Sequence, residues 1–523
     1  MSKTAKATFF LMVVTILSKI IGLARDSVLA SAYGTGMYVA VYNTANKIPV
    51  VLFAVIGSAL ATSLIPLYNK LSNEDSEERA LSFLNSVINI VVIACLVISV
   101  GGILAAGPLV KIFAVGYEGE AFRLCVQVTR ILLPTIIFVG LANIFTAYLQ
   151  IKKRFVIPGL IGFPYSIIII ISILLSTRTN FYVLIFGAFI AIASKTIFQI
   201  PFIYKEGYKY SRKIDLHDQV MKDMMILVIP VIIGVGANQI NSVVDESLAS
   251  LLGTSIVASF GYARRLYEFV QALFITSILS VVYPKFSRLV VSDKIDRFVD
   301  SMIQTMNVII IVLVPIVIGC GVLAKPIVEA LFQRNAFTAE DTIITANILI
   351  IYVTGVLAFA LRDVMSRGFY SLEDSKTPMT NGVIAIIFNV GLNLIFIKPL
   401  GYKGLALATS ISAYIGLFLF FRSMNKKVNY FSPKKNIIVF TKCFISAAVM
   451  GIVVRFIFNM MTPHLNQGLI FKAANLGISV MLGALVYAII MYFMKVEEYN
   501  ILVNLFTRGI KGRIKRLQKN IKK

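Results

Sequence analysis

The chain has 523 residues, 58% of them apolar, with a mean hydropathy of +0.85 and a net charge of +25. That apolar share exceeds the ~45–50% of ordinary soluble domains and excludes that class, and no loop is long enough to build a soluble core of its own. The basic residues fall in loops between apolar runs, the pattern that orients membrane proteins, so no nucleic-acid partner is expected.

A membrane-crossing helix needs about 20 mostly apolar residues. In chain order, fourteen stretches meet that need. The first six lie near Ala7–Ala24, Val39–Pro66, Leu84–Ala106, Leu124–Leu149, Ile157–Leu175 and Phe181–Ile203. The next six lie near Met224–Leu251, Ile256–Tyr283, Met302–Leu323, Ile343–Met365, Met379–Ile397 and Leu405–Phe421. Two more, near Ile437–Phe458 and Ala473–Met494, complete the set. The first runs on past Lys19 and Arg25 without a small-residue cleavage site, so it reads as a retained span and not a signal peptide. With the N-terminus in the cytoplasm, Lys152-Lys153-Arg154, the stretches 205–222 and 285–297, Lys426-Lys427 and Lys434-Lys435 all fall on the cytoplasmic side. The tail from Arg508, RGIKGRIKRLQKNIKK, reads as a basic helix on anionic headgroups, which puts both termini in the cytoplasm.

Spans 1 and 7 share a pattern. DSVLASAYGT from Asp26 matches DESLASLLGT from Asp245, Lys47 falls on Arg265, and Pro66 falls on Pro284. GPLVKIFAVG from Gly107 lines up with AKPIVEALFQ from Ala324, and the loop before Pro158 corresponds to that before Pro378. Two copies of six spans share one orientation and would leave a cavity between them. The expected fold is therefore all-α and polytopic. It has an N-terminal lobe over 1–215, a C-terminal lobe over 216–430, two further spans over 431–500 and a basic tail over 501–523.

Cations inside spans single out the candidate site. A cation near the bilayer centre costs at least about 2.5–3.5 kcal/mol, so it faces a wet cavity or a partner. Lys195, Lys442 and Arg455 read as snorkelling to span ends. Lys19, Arg25, Lys47, Arg264 and Arg265 cluster in the repeat-related region, with Asp26 and Glu268 as nearby charge partners, and the cations outnumber these acids. Arginine suits phosphate through its bidentate fork, and a diphosphate would satisfy several cations at once. A second, polar set is formed by Asp245, Asn389, Asn393 and Thr409: hard oxygen donors able to hold Na⁺ or relay a proton, or to hydrogen-bond between helices. Cys95, Cys125, Cys320 and Cys443 read as small buried hydrophobes, and no metal-ligand cluster or nucleophile motif suggests a membrane enzyme.

SKIIGLARDSVLASAYGTG from Ser18, GYARRLYEF from Gly261, LFQRNAFTAEDT from Leu331 and GFYSLEDSKTPM from Gly368 resemble signatures of the MurJ (MviN) lipid II flippases of the MOP exporter superfamily. The resemblance spans essentially the whole chain. It implies two six-helix lobes around a cationic cavity, with the last two helices forming a groove for a lipid tail. It also implies export of a lipid-linked peptidoglycan precursor across the bacterial plasma membrane. By position, Lys19, Arg25 and Arg265 match basic cavity residues and Asp26 the acid beside them, while Asp245, Asn389, Asn393 and Thr409 fall where some members hold sodium. The second span departs from the pattern: in KIPVVLFAVIGSA, Lys47 and Pro49 remain, but Val50 replaces the usual Asn and the basic and acidic positions that follow are apolar or small.

The expected activity is flipping of lipid II by alternating access. No cofactor is expected beyond Na⁺ or H⁺ coupling, and the expected form is a monomer. A flippase for another polyprenyl-diphosphate-linked oligosaccharide is an open alternative. A cation-coupled exporter of small molecules fits a basic cavity less well.

Overall fold

The computed structural model describes residues 3–215, 218–428, 431–462 and 468–499, so the tail over 501–523 lies outside them. Among the described residues every regular element is helical. In order, α1 is Lys3–Tyr33, α2 Met37–Glu74, α3 Glu77–Leu104, α4 Ala106–Phe113, α5 Gly119–Leu132 and α6 Thr135–Ile151. Next come α7 Val156–Leu160, α8 Gly162–Ser176, α9 Phe181–Ile197, α10 Ile200–Lys205, α11 Gln219–Ser250 and α12 Thr254–Val291. Then follow α13 Ile295–Val322, α14 Ala324–Phe332, α15 Ala339–Ser371, α16 Lys376–Leu400, α17 Tyr402–Lys427, α18 Lys434–Met461 and α19 Leu469–Phe493.

An all-helical answer is what lipid imposes, because a helix satisfies its backbone polar groups internally. Among the described residues nine helices are long and apolar enough to cross a membrane, or ten if the α5–α6 pair, bent by 45°, is one span. The other expected spans fall on α1, α2, α11 and α12, of 31, 38, 32 and 38 residues. The full count of fourteen stays a reading of the sequence. Large apolar side chains point outward along many helices, including Leu104, Ile452, Phe456, Ile470 and Phe493. Such extensive apolar exposure suits lipid and not water.

By compactness the chain divides into two units. One comprises Met1–Arg265, Phe332–Thr345 and Val390–Leu405; the other comprises Leu266–Leu331, Ala346–Asn389 and Ala406–Lys523. The lobes expected from the repeat are a division of another kind, and neither replaces the other. In the first unit Phe53, Leu64, Phe83, Val87, Ile136 and Ile144 form a core, with Tyr68 and Tyr148 edge to face at 5.9 Å. In the second, α18 packs against α13 and α19. There the Asn436 amide donates to Asn307 Oδ1 at 2.7 Å, and the Tyr487 hydroxyl donates to the Ile311 carbonyl at 2.9 Å.

The repeat is visible in the turns. Lys153 and Glu373 both adopt φ of 59°. After the first, Lys153 and Arg154 N–H donate to the Gln150 and Leu149 carbonyls; after the second, Glu373 and Asp374 N–H donate to Tyr370 and Phe369. A left-handed residue with paired backward bonds is a common way to end a helix.

Asp374, between α15 and α16, caps the latter. The Thr377 N–H donates to its Oδ1 at 3.0 Å, the Thr377 hydroxyl to its Oδ2 at 2.8 Å, and Lys427 lies 3.2 Å from Oδ2. Burial pushes this carboxyl up, but the Thr377 hydrogen bonds and the Lys427 ammonium outweigh it and hold the pKa below the ordinary carboxylate value. A depressed folded pKa stabilises the fold fully above the unfolded value of about 3.9, and that stability is lost as pH falls through the folded value. Thermal unfolding of the parent and Asp374→Asn should therefore show a constant gap at neutral pH that closes on acidification. A gap independent of pH would remove Asp374 as an ionised cap.

Candidate functional site

Charged side chains that the sequence scatters over more than 200 residues meet in the first unit. Arg25, near the C-terminal end of α1, donates from Nη2 and Nε to Asp26 Oδ1 at 2.8 and 3.0 Å. Arg265 on α12 brings Nη1 to 3.1 Å from the same oxygen, and its Nη2 donates to Asn43 Oδ1 on α2 at 2.9 Å. Two guanidinium groups thus share one carboxylate that is only 4% exposed. The sharing is incomplete: Arg265 Nη1 is poorly aimed, and among the described residues both it and Asn43 Nδ2 are buried donors without a hydrogen bond. Buried donors normally find an acceptor, so this corner offers unmet donors beside surplus positive charge.

One turn along α2 from Asn43, the Lys47 ammonium pairs with Glu246 on α11 and donates to the Ser242 carbonyl at 2.8 Å. The Thr44 hydroxyl donates to the other Glu246 oxygen at 2.9 Å. Arg264 Nη1 reaches the Ser242 hydroxyl at 3.0 Å while remaining exposed. The pairing runs in both directions between the copies, although Glu246 stands one residue past Asp245, the counterpart of Asp26. Arg265 of the second copy approaches Asp26 of the first, and Lys47 of the first engages Glu246 of the second.

The helix ends near the site are also tied by hydrogen bonds that run in both directions between the copies. The Ala336 N–H donates to the Ser31 carbonyl at 3.2 Å, and the Asn335 amide donates to the Ser31 hydroxyl at 2.9 Å. In the other copy the Gly116 N–H donates to the Ser250 hydroxyl at 2.8 Å, and the Val115 N–H donates to Ser247 at 3.3 Å. The buried Tyr262 hydroxyl donates to the Gly34 carbonyl at 3.0 Å.

Of the other expected residues, Lys19 is exposed on α1, and Glu268 is exposed on α12 in the second unit. Asp245 Oδ1 accepts from the Asn393 amide at 2.6 Å in the first unit. In the second unit the Asn389 amide reaches the Thr409 and Ser412 hydroxyls at 3.4 and 3.3 Å. Asn43, Glu246 and Tyr165 were not singled out by sequence reasoning. Glu246 follows Asp245 directly and Asn43 precedes Lys47 by one turn, so helical spacing from known charges is the signal that could have found them. Lys195, read as snorkelling, rests 4.0 Å from the centroid of the Tyr165 ring, which Arg25 also overlies at 5.2 Å.

The family model described as "Lipid II flippase MurJ" matches residues 29–476. The probable lipid II flippase MurJ of Vibrio cholerae is 27% identical over 505 residues, covering 94% of this chain and 96% of that protein. The probable lipid II flippase MurJ of Haemophilus influenzae is 28% identical over 511 residues, covering 93% and 99%. A solved structure titled "Lipid II flippase MurJ, inward closed conformation" aligns with a TM-score of 0.79 at 26% identity, covering 95% of this chain and all of that one. An inward-facing MATE family multidrug transporter of the MOP superfamily aligns with a TM-score of 0.68 at 14% identity, covering 79% and 95%, a likeness of fold alone.

Proposed function

The chain belongs to the MurJ family of lipid II flippases, and on that premise we propose that it carries lipid II, a polyprenyl-diphosphate-linked peptidoglycan precursor, across the bacterial plasma membrane from inner to outer leaflet. The observation that carries this reading is the pair Arg25 and Arg265 converging on the single carboxylate of Asp26 with buried donors to spare. One carboxylate cannot neutralise two guanidinium groups, and a diphosphate supplies both the charge and the acceptors that are lacking. Lys47, Arg264 and Lys19 extend positive charge along the same helices. An acid-lined site would suit organic cations, so the basic one weighs against a small-molecule exporter, and the near-full-length relatives favour lipid II over other polyprenyl-linked cargo. Both termini face the cytoplasm in this reading.

A coupling ion drives transport only if it binds the two conformations unequally. Asp245 and Asn393 in the first unit supply a carboxylate and an amide oxygen, and Asn389 and Thr409 in the second an amide oxygen and a hydroxyl, donor types that suit Na⁺ or a proton. Asp245→Asn is expected to leave lipid II binding intact while abolishing the sodium or proton dependence of flipping in proteoliposomes. Unchanged ion dependence would remove this set from the mechanism.

The activity itself is tested by complementation of a strain depleted of its own lipid II flippase. Growth restored by this chain, and not by an Arg25→Ala Arg265→Ala double variant expressed to the same level, is the expected result. Failure of the well-expressed parent would reassign the cargo.

A further inference from the structure

Lys195 stands apart from the other cations. It lies on α9, well inside the 25-residue apolar run Phe181–Lys205. Among the described residues its ammonium makes no ion pair and donates no hydrogen bond; its neighbour is the Tyr165 ring on α8, 4.0 Å away at the centroid. A cation so deep in a span faces a partner or a wet cavity. The face of an aromatic ring attracts a cation but carries no net charge to cancel it. Arg25 uses the same ring, with Cζ 5.2 Å from the centroid. The two charges are therefore no further apart than the sum of these distances, and Asp26, the carboxylate beside Arg25, is already engaged by Arg25 and approached by Arg265. Lys47 cannot serve the same need, because Glu246 holds it.

We propose that Lys195 and Arg25, seated on Tyr165, form an anion clamp that receives a phosphoryl group of the cargo's diphosphate; the proposal rests on the lipid II reading above. The guanidinium offers a planar fork and the ammonium a point charge, two complementary ways to bind phosphate oxygens. Tyr165 acts as a positioning residue, holding two like charges at a spacing that an incoming anion can bridge.

The test uses the purified full chain with Lys195→Gln, Lys195→Arg and, as a control outside the clamp, Lys205→Gln. Lipid II flipping is measured in proteoliposomes, and melting temperature is measured with and without inorganic pyrophosphate. A ligand that binds the folded state raises its melting temperature. Lys195→Gln is expected to lower flipping about tenfold and to abolish most of the pyrophosphate-induced shift, with no loss of melting temperature in pyrophosphate's absence. Lys195→Arg should restore most of both, and Lys205→Gln should match the parent. Normal flipping and a normal shift in Lys195→Gln would overturn the clamp. So would a loss of flipping that tracks a lower intrinsic melting temperature with the pyrophosphate shift intact, because Lys195 would then support the fold only. If the parent moves no lipid II yet pyrophosphate stabilises it through Lys195, the clamp stands and the cargo assignment fails.

Discussion

Arg25→Ala and Arg265→Ala are each expected to cut lipid II flipping about 100-fold while leaving the protein folded. A hydrogen bond to a charged group contributes about 1.5–3 kcal/mol, and each arginine can offer a phosphate two of them. Losing roughly 2.7 kcal/mol of binding to the moving cargo corresponds to that factor. The fold should survive because Asp26 keeps the other guanidinium within reach: Arg25 bonds to it at 2.8 Å and Arg265 lies 3.1 Å away. Asp26→Ala should behave differently. It leaves two half-buried cations near each other without their shared carboxylate, so both transport and melting temperature should fall. Arg25→Lys keeps the charge but not the fork, so it should land between parent and alanine variant. Flipping rates normalised to reconstituted protein, with melting temperatures alongside, check the set. Parent-like flipping by either alanine variant would move the cargo site elsewhere.

The second large effect concerns Gly34 and Gly116. A Cβ on Gly34 would collide with the backbone carbonyl of Ala336, and Gly34 also adopts φ of +58°, a conformation L-residues rarely take. A Cβ on Gly116 would collide with the Ser250 carbonyl and the Leu251 nitrogen. In both places the obstacle is main chain, so no side-chain rotation relieves it. Overpacking of this kind costs about 1–3 kcal/mol, and the left-handed backbone adds about 1–2 kcal/mol at Gly34. Gly34→Ala and Gly116→Ala should therefore lower the melting temperature and impair flipping, Gly34→Ala more severely. Gly119 separates the two causes: it has φ of +54° but open space around its Cβ position, so Gly119→Ala incurs strain without collision. Gly101, with open space and no positive φ, should tolerate alanine. If Gly119→Ala proved as harmful as Gly34→Ala, the close backbone packing would not be the reason.

The helices were legible because apolar runs in lipid have one local solution, and charges inside them are conspicuous. That is why Arg25, Asp26 and Arg265 could be named from the chain alone. Boundaries were less legible. The second span was expected to end at Pro66, whereas α2 continues to Glu74, because Leu67–Glu74 remains a good helix former once clear of lipid. The short helices α4 and α14 were seen only as repeat landmarks. Their eight and nine residues are too few to register as spans. Partners across the fold were not legible. Nothing in the order of residues says that Lys47 meets Glu246, 199 positions away. The surroundings of Lys195 were not legible either: a span over Phe181–Ile203 does not say that the Tyr165 ring lies against its ammonium.

Equilibrium binding to the purified parent tests the central claim most directly, comparing lipid II with a polyprenyl-linked glycan of the same size whose diphosphate is replaced by a neutral linker. Surplus charge held for a phosphorylated cargo predicts tight, salt-weakened binding of lipid II, feeble binding of the neutral analogue, and no distinction between them by the Arg25→Ala Arg265→Ala variant. Equal affinity of the parent for both ligands would contradict it.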